Sequence, residues 1–262
     1  MMPRALLAAF SSLLPACSGA TEGRLVTFSA AAAGPADAVQ GQPYELTSGR
    51  GYHVVLTRAR LHIGAAYLNQ SAPSAAAPSQ PCELPGAYVA QILTGVDVDV
   101  LSPLPQPFGS PGSGIASHAV AAEIVLTGGD LNAIDDPTII LDVAGTASKQ
   151  GTYYPFDGIV TIGRNRLQPS TDPAAPGAEP PCRRRIAAPV AVDITPADGG
   201  RLVVRVDPRG WFANVDFAQL RKVSDKPPQY RFDDNSETQP NLNLYTGLTS
   251  RDGVYGFTWE GP

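Results

Sequence analysis

Apolar and polar residues alternate with a period of two along much of this chain, the signature of strands with one face buried. The longest such run is Tyr52 to Leu68. One face of it carries His53, Val55, Thr57, Ala59, Leu61, Ile63, Ala65 and Tyr67, and the other carries Val54 and Leu56, then Arg58, Arg60 and His62. The first face is the expected core, with the Arg-Arg-His stripe in solvent. Gly64 interrupts the run where a strand would bend from one sheet into another. Further strands are predicted at Leu25–Ser29, Tyr88–Leu101, Ala116–Thr127, Thr138–Ala144, Tyr153–Ile162 and Gly253–Trp259. Within the second of these, Val96, Val98 and Val100 oppose Asp97 and Asp99. Ile186–Ile194 and Leu202–Val206, joined by Ala197-Asp198-Gly199-Gly200, read as a hairpin. Val215–Leu220 is the one short helix expected.

Between these runs the chain is punctuated. It holds 26 glycines and 26 prolines, which excludes long helices and favours many short elements joined by turns. Gln70–Cys82 and Pro169–Cys182 are Pro/Ala-rich loops of low complexity. Eight or nine strands with turn signals between them predict an all-β fold, an antiparallel β-sandwich with long Pro/Ala-rich loops.

The N-terminus has a different grammar. Arg4 precedes an apolar run, Ala5-Leu6-Leu7-Ala8-Ala9-Phe10, and then Leu14-Pro15-Ala16-Cys17. The run is too short for a bilayer core of about 30 Å, so it reads as a processing signal. Its Leu-x-Ala-Cys ending resembles the lipobox of bacterial lipoproteins. That resemblance implies a signal peptide over residues 1–16, lipidation of Cys17 and a linker over 17–24; the remaining length, 25–262, suits a single β domain of generous size or two small ones packed together, and a single β-sandwich domain is expected. The lipobox resemblance also implies attachment to a membrane outside the cytoplasm, and Ser18 after the cysteine favours the outer membrane. In that compartment Cys82 and Cys182 are expected to form a disulfide, with free thiols or metal thiolates as the alternatives.

Charge narrows the partners. The formal net charge is −5 with 16% charged residues, which leaves no electrostatic footprint for nucleic acid. Arg183-Arg184-Arg185 is the only basic run and reads as a solvated loop edge. The partners expected are the membrane itself, through the lipid, and a membrane-associated protein.

Candidate chemistry is sparse. The chain lacks the nucleophile elbow, the zinc-protease helix motif, the haem-attachment motif and the phosphate loop. His53 and His118 both fall in phase with apolar strand faces. Neutral imidazoles suit copper or zinc, and Glu45 could complete a site. The simpler reading is that each histidine hydrogen-bonds to backbone or water. Asp233, Asp234 and Glu237 form an oxygen-rich cluster, as do Asp130, Asp135 and Asp136; either could take Ca²⁺ or be a solvated loop.

Val55-Leu56-Thr57-Arg58-Ala59-Arg60-Leu61-His62-Ile63 resembles a strand of the MbnP-like copper-associated proteins. Those are exported β-sandwich proteins, some of which bind copper through histidines and a modified tryptophan. The resemblance implies Trp211 as the tryptophan of interest. Read from its surroundings alone, Trp211 caps a sandwich end with Phe212 and Phe217. Three functions follow as expectations: a lipid-anchored, non-catalytic binding scaffold, a periplasmic copper or zinc binder, and an exported hydrolase.

Overall fold

The computed structural model describes residues 23–71, 87–128, 137–161, 190–234, 238–250 and 253–262. The two-residue period becomes two sheets. The larger runs in the order β12 (Val190–Ile194), β9 (Ala119–Val125), β4 (Ala65–Asn69), β5 (Tyr88–Ile92), β8 (Gly112–Ile115), β1 (Leu25–Ala33), β13 (Arg201–Val206) and β16 (Tyr255–Glu260). The short β7 (Gln106–Pro107) adds to β1. The end strands β12 and β16 lie alongside each other, so this sheet curls almost into a barrel. The smaller sheet runs β14 (Arg221–Asp225), β15 (Pro228–Phe232), β11 (Thr152–Val160), β10 (Leu141–Lys149), β3 (His53–Ile63) and β2 (Tyr44–Thr47), with β6 (Val96–Asp99) also on β3. One continuous apolar cluster joins both sheets, from Phe28, Leu68 and Ile124 to Leu56, Leu61 and Phe156. The all-β fold with one short helix is therefore the architecture observed.

Gly64 makes the corner. β3 belongs to the smaller sheet and β4, beginning one residue later, to the larger. The Gly64 N–H donates to the Val125 carbonyl at 2.8 Å. A Cβ there would lie 2.1 Å from the Thr127 carbonyl oxygen, so only glycine lets the chains approach this closely.

Four expectations need correction. The two faces of β3 do not keep one phase: Val54 and Leu56 are buried, then Ala59, Leu61 and Ile63. The cause is a bulge at Thr57. Leu56 opposes Gly145 and Arg58 opposes Ala144, which leaves Thr57 as the extra residue and turns every side chain before it to the other face. His53 and Val55 consequently leave the core face. The expected hairpin does not form either, because β12 pairs with β9 while β13 inserts between β1 and β16. The sheets are mixed rather than purely antiparallel, since β1–β13 and β11–β15 are parallel pairs.

The fourth correction is the helix. Residues 217–219 form only a single 3₁₀ turn, capped by the Asp216 side chain accepting from the Ala218 N–H. The α-helix is instead α1 (Gln239–Leu248), with Pro240 in its first turn. Its Asn, Thr and Gly content is poor for a helix. Buried Leu244 and Leu248 dock it against the 3₁₀ turn at Gly210–Phe212.

Candidate functional site

The histidines are brought to three separate places. His53 Nε2 lies 3.2 Å from Glu45 Oε2 on the neighbouring strand β2, both exposed. His118 Nε2 lies 2.8 Å from Asp193 Oδ1 of β12, also exposed. His62 Nδ1 lies 2.6 Å from Asp97 Oδ1 of β6. His53 opens β3 of the smaller sheet, whereas His118 immediately precedes β9 of the larger one. The structure therefore does not unite them in one ligand sphere, although it does place Glu45 beside His53. Among the described residues no three His, Cys, Asp or Glu side chains gather around a common point. Each imidazole meets a carboxylate, and none hydrogen-bonds to a described serine, threonine or cysteine.

Trp211 is fully buried at the end of the smaller sheet. Phe212, 6.3 Å away between ring centroids, links it to Phe156, Phe217 and Phe232. Its indole Nε1 meets no hydrogen-bond partner. This is an aromatic cap, extended by Tyr52, whose ring stands edge-on to Phe217. Burial, with the hydrogen bond to Asp216, pushes the Tyr52 phenol up to about 12. Asp233 pairs with Arg221 at 3.0 Å, and its N–H donates to Asn241 Oδ1. Asp234 accepts from the Thr161 N–H at 2.7 Å and from its hydroxyl at 2.5 Å. The two carboxylates thus tie strand ends together, and the Asp233 N–H adds the link to α1. Glu237, Asp130, Asp135, Asp136, Cys17, Cys82, Cys182 and the Arg183–Arg185 run lie outside the described residues.

The most unusual chemistry lies on the outer face of the larger sheet. Register places Glu123 of β9 opposite Tyr67 of β4, Tyr67 opposite Gln91 of β5, Gln91 opposite Ser113 of β8, and Ser113 opposite Thr27 of β1. Strands lie about 4.8 Å apart, so these five polar side chains form a row of about 19 Å across the sheet. Exposure falls along it. Thr27 and Ser113 are open, Gln91 and Tyr67 half-buried, and Glu123 is 1% exposed.

A second bulge shapes this face. Ala90 opposes Leu68 and Tyr88 opposes Asn69, leaving Val89 as the extra residue. Tyr88 is thereby placed beside Tyr67, with ring centroids 4.7 Å apart and planes tilted by 39°. Opposite Tyr88, Asn69 is fully buried, and among the described residues neither of its amide atoms makes a well-formed hydrogen bond. Glu123 Oε2 makes none either. Desolvation raises the Glu123 carboxyl above its ordinary value, and hydrogen bonding from the Asn69 amide, at less than ideal geometry, lowers it in part. Burial, reinforced by Glu123, raises both tyrosines as well. Next to this nest a cleft of about 430 Å³ opens over β1, β8 and β5. Leu25, Thr27, Tyr88, Gln91, Ser113 and Ile115 line it. The volume falls within the usual range for ligand pockets.

Reading by sequence alone passes over this row. Glu123 is the sole formal charge between Ala116 and Thr127, which is a signal, but an acidic residue in an alternating strand ordinarily faces water. The row itself exists only through register across five strands.

The two sheets define an all-β protein with a ligand-sized cleft on one outer face. No protein-family model matches the chain, and no curated protein matches it. Among solved structures, MbnP from Methylosinus trichosporium is similar over 74% of this chain and 78% of that one, with a TM-score of 0.30 and 13% identity. A likeness that distant transfers neither fold nor function.

Proposed function

We propose that this protein is an exported lipoprotein, tethered through Cys17 to the outer membrane, whose folded part is a binding module. The anchor rests on the Arg4, apolar run and Leu14-Pro15-Ala16-Cys17 sequence. The observation that carries the binding reading is the cleft over β1, β8 and β5, whose lining is hydroxyl, amide, aromatic and aliphatic. Such a lining has groups to orient a ligand but supplies no histidine, thiol or exposed carboxylate to transform it. Of the acids close by, Glu123 is buried, and the Asp198 carboxylate at the rim accepts from the Thr27 N–H at 3.0 Å. A metal carrier using His53 and His118 would need ligands the two sheets hold apart.

The test is photocrosslinking in intact envelopes. A photoreactive phenylalanine at Ser113 is expected to form a discrete adduct, whereas the same group at Lys222 on the smaller sheet forms none. Equal labelling from both positions, or from neither, would contradict the reading.

A further inference from the structure

We infer that the outer face of the larger sheet binds a neutral glycan chain, laid across the strands along the row from Thr27 to Tyr67. The inference deepens the binding-module reading above and rests on it.

The argument starts from what the cleft lacks. None of its described lining residues carries a formal charge, so the lining itself offers no cation for a phosphate or carboxylate, and the one carboxylate at its rim, Asp198, is engaged by the Thr27 N–H. The one carboxyl in the row is 1% exposed and so is shielded from a soluble cation. What remains is a particular mixture. Leu25 is 81% exposed and Tyr88 40%, an unusual amount of bare apolar and aromatic surface beside open hydroxyls. Sugars present the complementary mixture, with C–H faces that pack on rings and methyl groups and hydroxyls at their edges. Tyr88, Leu25 and Ile115 supply surfaces for the faces. Gln91, which donates and accepts through one amide, and the Ser113 and Thr27 hydroxyls supply partners for the edges.

The row also suits an extended ligand. A chain molecule crossing the strands meets a polar group at each interval of about 4.8 Å. At the deep end stand Asn69 and Glu123, fully buried, with three polar atoms that make no well-formed hydrogen bond among the described residues. Buried polar atoms are ordinarily paired, and unpaired ones are costly. Register sets Tyr67 opposite Glu123 and Tyr88 opposite Asn69, so the tyrosine pair borders this buried end of the row.

Isothermal titration of the full chain in detergent tests this with two probes. Chitohexaose represents N-acetylated wall-type glycan, and maltohexaose represents plain hexose polymer. Saturable binding of either supports the inference, and the preferred probe assigns the source. Tyr88→Ala should weaken that binding about tenfold through the lost stacking surface. Gln91→Ala should weaken it about fivefold. Lys222→Ala, on the other sheet, should leave it unchanged. Both cleft residues are partly exposed, so the variants should fold, and circular dichroism verifies this. If neither oligomer binds at millimolar concentration, or if binding survives both cleft substitutions undiminished, the inference is overturned. Persisting crosslinks from position 113 in that case would leave the binding-module reading standing with another class of ligand.

Discussion

Replacing Glu123 by Gln should remove a pH dependence from the stability of the fold. Glu123 is 1% exposed and its Oε2 makes no well-formed hydrogen bond among the described residues, so desolvation holds its proton above the ordinary value of 4.5. Below that value the folded and unfolded chains both keep the proton, and burial carries no ionisation cost. As pH rises through it, the unfolded chain releases the proton while the folded chain retains it. Folding then loses about 1.4 kcal/mol per pH unit, until the folded carboxyl ionises as well. The stability is thus fully present at low pH and is lost as pH rises through the raised folded value. Glutamine has nearly the same shape and never ionises. Urea midpoints measured from about pH 4 to about pH 8 should show the Glu123→Gln variant gaining on the parent protein as pH rises above the ordinary carboxylate value, with the gain levelling off once the folded carboxyl ionises. A difference that stays constant with pH, or shrinks as pH rises, would show that Glu123 is hydrated or paired and would refute the reasoning.

Cys17→Ser should move the protein from the membrane to the soluble fraction and abolish fatty-acid labelling, read by fractionation and metabolic incorporation. Gly145→Ala should destabilise the fold by about 2 kcal/mol or more in a urea titration. A Cβ there would lie 2.3 Å from the Val55 carbonyl oxygen, beside the bulge at Thr57. His53→Ala and His118→Ala should act independently on any bound copper or zinc, measured by elemental analysis. Loss of the same single metal ion in both variants would mean that the two histidines share a site.

The sequence pattern carried those parts of the fold where neighbours agree with the period. Val96, Val98 and Val100 are buried while Asp97 and Asp99 are exposed. Gly64 turns the corner because no side chain fits against Thr127. Trp211, Phe212 and Phe217 form the aromatic cap their spacing suggests. Features set by partners elsewhere were not legible. The bulge at Thr57 depends on Gly145 in β10, and it reverses the face of His53, which the sequence period would bury. Helix α1 has a weak intrinsic propensity and forms where Leu244 and Leu248 find Trp211. β12 and β13 are close in sequence, yet β1 and β9 compete successfully for their edges. The candidate site was the least legible part. Its five polar residues come from five strands, and each alone looks like an ordinary surface or edge position.

Amide hydrogen exchange of the full chain compares most directly an occupied face with an empty one. The protein would be measured in its own envelope fragments and then after purification in detergent. The account predicts slower exchange in the envelope confined to β1, β5 and β8, the strands that carry the cleft. Protection centred on β14 and β15 of the smaller sheet, or no difference between the two states, would contradict it.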